Sequence, residues 1–82
     1  MIKVIGTLGN PVWDDPDQAK TAERAAIFKK YKLKGKIKGD FIILSDTLIE
    51  INFTDLISAY SFVAEMQAVY TKYNDTLTVE YV

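Results

Sequence analysis

From Leu33 to Ile43 the odd positions are Leu33, Gly35, Ile37, Gly39, Phe41 and Ile43, while Lys32, Lys34, Lys36 and Lys38 hold even ones. An extended strand turns this two-residue beat into one apolar and one basic face, whereas a helix would scatter the same residues around its circumference. The spacing therefore predicts a strand over roughly Gly35 to Leu44 in the middle of the chain. The elements on either side must pack around it.

The same periodicity appears in three other places. Ile2 to Leu8 alternates up to the breaker Gly9-Asn10-Pro11, Leu48 to Phe53 sets Ile49, Ile51 and Phe53 against Glu50 and Asn52, and Thr76 to Val82 sets Leu77, Val79 and Tyr81 against Thr78 and Glu80. Ser45-Asp46-Thr47 reads as a three-residue hairpin loop that pairs Ile43 with Ile49 and Phe41 with Ile51. Ile5, Ile42, Leu44 and Leu48 then face away from that apolar row.

Two stretches break the beat. Asp15-Pro16-Asp17-Gln18 reads as a helix start, with Asp15 as N-cap, Pro16 at the first helical position and Gln18 closing a capping box. That helix runs to about Tyr31, with an apolar stripe made mostly of alanine. A second helix runs from about Asp55 to Tyr73, capped by Asn52 or Thr54. Ser58, Ser61, Glu65 and Lys72 form its narrow polar stripe, and nearly all else on it is apolar.

The order strand, helix, strand, strand, helix, strand predicts one α+β domain over 1–82: a ferredoxin-like split βαββαβ sandwich, a four-stranded antiparallel sheet with two helices on one face. The first and third strands are then central and the lysine-bearing second strand is an edge. The RNA-recognition motif shares this order and reads bases with aromatics on its central strands. Ile2 to Leu8 carries no aromatic. Lys38-Gly39-Asp40-Phe41-Ile42-Ile43 opens like that family's third-strand consensus and then loses its aromatics, so the chain is not assigned to the family.

Cysteine and histidine are absent, which removes disulfides, thiolate zinc sites, the commonest general base and every Ser/His or Cys/His nucleophile pair. No pair of carboxylates stands in a recognisable acid/base arrangement, so no catalytic residue, metal or cofactor is expected. Asp14, Asp15 and Asp17 lack calcium-loop spacing and are read as helix-capping acids. Gly6-Thr7-Leu8-Gly9 is read as a turn, because the acids after it would repel a phosphate. Trp13 is expected to close one end of the core.

Charge is segregated. Lys29, Lys30, Lys32, Lys34, Lys36 and Lys38 make a +6 segment, and the remainder carries −7. As a function, Lys32, Lys34, Lys36 and Lys38 could follow a nucleic-acid backbone, but lysines on a strand edge also block edge-to-edge pairing, and that reading is preferred. The first functional expectation is a non-catalytic protein-binding or regulatory module that hides surplus apolar surface by homo-oligomerisation, as in a homodimer, or by docking on a host protein. Tyr60, Phe62, Val69, Tyr73, Ile42 and Leu44 are its predicted contact residues. Nine lysines to one arginine in a short reading frame suit an AT-rich phage or mobile-element genome, and no signal or membrane-length segment is present, so a cytoplasmic location is expected.

Overall fold

The computed structural model describes residues 2–12 and 15–82, so the expectation for Trp13 and the role of Asp14 lie outside the described residues. The elements run β1 (Ile2–Leu8), α1 (Gln18–Leu33), β2 (Ile37–Ser45), β3 (Leu48–Phe53), α2 (Leu56–Lys72) and β4 (Leu77–Tyr81). The strands form one antiparallel sheet in the order β2-β3-β1-β4, which is the expected ferredoxin-like sandwich with β2 and β4 as edges. Val4, Ile37, Ile51 and Phe53 from one sheet face meet Tyr31 of α1 and Ala59 and Phe62 of α2 in the core.

Three local expectations are corrected. The N-cap of α1 is Asp17, whose carboxylate accepts from the Lys20 amide at 3.1 Å, so the helix begins two residues later than the Asp15 cap predicts. Asp15 is drawn elsewhere, into an ion pair described below. The cap of α2 is Asp55, which accepts from the Ser58 amide at 2.7 Å, in place of Asn52 or Thr54.

The third correction concerns the opening pattern. Lys32 and Leu33 are still helical, and α1 stops only because Gly35, at φ 72°, takes the left-handed conformation that ends helices. Its amide donates to the Lys32 carbonyl at 3.0 Å and the Lys36 amide to the Tyr31 carbonyl at 3.0 Å, satisfying carbonyls of the last turn. The two-residue beat across Leu33 and Gly35 is thus a coincidence of a helix end with a strand start.

Hairpin pairing is partly as expected. Ile43 lies opposite Ile49, but Ser45 pairs with Leu48 across a two-residue turn, and a bulge between Ile43 and Ser45 absorbs the difference. A second irregularity between Lys38 and Ile42, holding Gly39 at φ 71°, removes the predicted pairing of Phe41 with Ile51. Phe41 instead meets Phe28 of α1 edge to face, with ring centroids 5.6 Å apart.

Candidate protein-binding surface

At about 100° per residue, Phe62, Val69 and Tyr73 fall on one side of α2, and Tyr60 lies on the other. Phe62 and Val69 are only 3% and 7% exposed, so they are core residues and cannot present a partner surface as predicted. Tyr73 is half-buried, with its hydroxyl donating to Glu23 of α1. Of the four helix residues expected at the interface, the fold leaves Tyr60 available, 51% exposed.

The charged residues of α2 also face α1. Glu65 accepts from Lys30 and from the Tyr31 hydroxyl, and Lys72 lies 3.1 Å from Glu23. Lys30 first, then Tyr31, holds the Glu65 carboxyl below its usual range, while burial and then Glu65 push the Tyr31 phenol up to about 12. The predicted polar stripe is therefore the seam between the helices, and Ser58 within it is buried.

What remains is an α2 flank without charge. Leu56, Ile57, Tyr60, Ala64 and Ala68 are all exposed on it, Ile57 at 79%. Tyr60 continues the surface onto β4 by meeting Tyr81 edge to face, with centroids 4.9 Å apart, and Val82 beyond it is exposed. Burial, with Tyr60 beside it, pushes the Tyr81 phenol up, so Tyr81 stays neutral at ordinary pH. Leu56, Ile57, Tyr81 and Val82 were not singled out in the sequence. Helical angle alone puts Leu56 and Ile57 with Tyr60, but only the sheet order brings Tyr81 beside them.

Ile42 and Leu44 are exposed, but they belong to another surface. Ile42 pairs with Glu50, Glu50 with Ile5 and Ile5 with Glu80, so the open sheet face alternates apolar and acidic groups across the strands. Carboxylates interrupt it, and Lys3 lies 3.8 Å from Glu50.

The lysines do not form a ladder. Lys32 is on α1, Lys34 is its C-cap, Lys36 lies in the connection and Lys38 alone of the four is on β2. Lys32 donates to the Gly39 carbonyl near Asp40, and Lys36 lies 3.7 Å from Asp55. The even spacing that would track phosphates is absent from the fold.

A second polar feature was missed in the sequence: Lys20, only 2% exposed, joins α1 to two turns. Its ammonium is 2.5 Å from Asp75 and 2.6 Å from Asp15, the latter as an ion pair outside hydrogen-bond angles, and the side chains of both acids are buried. Arg24 stands 3.7 Å from Asp15 and donates to the Tyr70 hydroxyl at 2.8 Å. Two cations thus balance two carboxylates. Burial alone would raise Asp15 and Asp75, but Lys20 and backbone amides outweigh it and hold both below the usual carboxylate range. Burial likewise opposes the charge on Lys20, yet its two acid partners raise it above an ordinary lysine.

Asn74, at φ 55°, makes the left-handed turn after α2, and the Asp75 amide donates to the Tyr70 carbonyl at 2.9 Å, which places Asp75 for Lys20. Beside this cluster a cleft of about 380 Å³ opens between α1 and the sheet, lined by Leu8, Phe28, Phe41, Ile49, Met66 and other side chains. Its walls are mainly apolar, and Arg24 at its end is already partnered. Among the described residues there is no group of three or more Asp, Glu, His or Cys side chains able to hold a metal ion.

Comparison with protein-family models finds no match, and comparison with curated proteins finds none either.

Proposed function

We propose that this chain is a small non-catalytic protein-binding module, acting in the cytoplasm, whose working surface is the neutral flank of α2 together with β4. The observation that carries the reading is the continuity of Leu56, Ile57, Tyr60 and Tyr81, exposed apolar groups from a helix and an edge strand with no charged side chain among them. Contiguous apolar surface of this kind marks interaction sites, whereas scattered exposed leucines do not. Support for a non-catalytic role comes from the titratable groups, since Lys20, Lys30, Lys72 and their acid partners are engaged with one another. The lysines support the nucleic-acid alternative less well, because helix, cap, connection and strand divide them.

The test is sedimentation of the purified chain, together with affinity capture from its source cell, using the wild type and Ile57→Glu. The wild type is expected to associate, with itself or with a partner, and the variant to lose at least tenfold in affinity while keeping its circular dichroism. A wild type that stays monomeric and captures nothing in an Ile57-dependent manner refutes the reading.

A further inference from the structure

β4 is an edge strand that, among the described residues, nothing guards. Its register against β1 is unbroken from Leu77 opposite Leu8 to Tyr81 opposite Val4, it contains no proline, and Glu80 is its one charged residue. The opposite edge, β2, has two irregularities, a left-handed glycine and both Lys38 and Asp40, devices that keep strands from pairing edge to edge. One edge of this sheet is blunted and the other is not.

The backbone of β4 shows what it can accept. The Lys3 and Val82 amides and carbonyls exchange bonds of 3.2 and 2.8 Å, and in an antiparallel ladder such pairs alternate along the strand. Val82, Glu80 and Thr78 therefore spend their amides and carbonyls on β1. Those of Leu77, Val79 and Tyr81 point outward.

We propose, resting on the binding reading above, that the partner is a second copy of this chain, with its β4 antiparallel to this one about a two-fold axis at Val79. That register sets Val79 opposite Val79 and Leu77 opposite Tyr81, each pair exchanging both backbone bonds. It also sets Glu80 of one copy opposite Thr78 of the other, so the only charged residue of the strand has no like charge directly opposite, the two Glu80 side chains standing on a diagonal. Shifting the axis to Glu80 would set the two Glu80 carboxylates directly opposite each other.

Side chains support the same partner. Tyr60 meets Tyr81, so one side of the α2 flank lies over β4, and pairing brings the two α2 helices toward each other across Leu56, Tyr60 and Ala64. A five-residue edge alone falls short of the roughly 800 Å² per partner that stable dimers bury, and the α2 crest supplies additional area. The formal net charge of −1 per chain leaves little long-range repulsion between copies.

The experiment is sedimentation over rising concentration for the wild type, Val79→Pro and Ala64→Glu, with amide hydrogen exchange on the wild type. Val79→Pro deletes an outward amide that β1 does not use, and prolines are tolerated on sheet edges. Ala64→Glu changes only the exposed crest and serves as the check if the proline variant is unstable. The wild type is expected to dimerise, both variants to weaken dimerisation at least tenfold, and the Leu77, Val79 and Tyr81 amides to become protected as dimer forms. A monomer at all concentrations, a dimer indifferent to both variants, or those three amides exchanging equally fast in dimer and monomer would overturn the proposal. A monomer that still captures another protein through Ile57 sinks the second copy and leaves the binding reading standing.

Discussion

Lys20→Met is expected to cost about 3–5 kcal/mol, the usual loss when one partner of a buried ion pair is removed and the other is left charged. For a domain of this size that is most of its stability, because small cores leave margins of only several kcal/mol. The variant keeps Asp15 and Asp75 buried with Arg24 as the remaining nearby cation, and Arg24 is 3.7 Å from Asp15. Urea unfolding followed by circular dichroism measures the loss; a change below about 1 kcal/mol would mean the cluster is better solvated than its burial implies.

The pH dependence gives a second handle on the same cluster. Asp15 and Asp75 have folded-state pKa values below their unfolded ones, so their contribution is present above the ordinary carboxylate pKa and is lost as pH falls through the lowered values. Lys20 and Tyr31 are raised, so their contributions are intact below their unfolded values and fade as pH climbs toward the raised ones. Wild-type stability should form a plateau bounded on both sides. In Lys20→Met, protonating the stranded acids should relieve the penalty, so the gap between variant and wild type narrows in acid.

Phe62→Ala and Tyr60→Ala should behave as opposites although the residues are two apart. Phe62 packs between the rings of Tyr31 at 5.4 Å and Phe53 at 5.1 Å, and its truncation should cost about 3–5 kcal/mol. Tyr60 loses one aromatic neighbour, worth about 0.5–1.5 kcal/mol, and should leave the monomer folded while impairing association. Equal destabilisation by both would place Tyr60 in the core and remove it from the surface. Thermal unfolding paired with sedimentation separates the two outcomes.

The strand and helix order was legible because alternation survives in Ile2 to Leu8, Leu48 to Phe53 and Leu77 to Tyr81, the first two with one face buried and the last with Leu77 and Val79 half-buried. Element ends were harder to place. At Gly35 a glycine following a lysine-rich last turn is a helix stop, yet the neighbouring odd-position apolar residues imitate a strand. Lys20 gave no signal, since its importance arises from Asp15 and Asp75, the latter 55 residues away, and no local pattern joins them. The contact residues were half legible: helical angle separates Tyr60 from Phe62, Val69 and Tyr73, but the union of Tyr60 with Tyr81 depends on which strand is the edge.

Hydroxyl-radical footprinting of the tyrosines and exposed aliphatic residues, in dilute and concentrated protein and in source-cell extract, tests most directly whether the α2 and β4 flank is covered when the protein works. Tyr60, Tyr81 and Ile57 should lose reactivity in concentrated protein or extract, while Leu33, exposed at the end of α1 and outside the flank, stays as reactive as in dilute solution. Unchanged oxidation of Tyr60, Tyr81 and Ile57 in every sample would contradict the account.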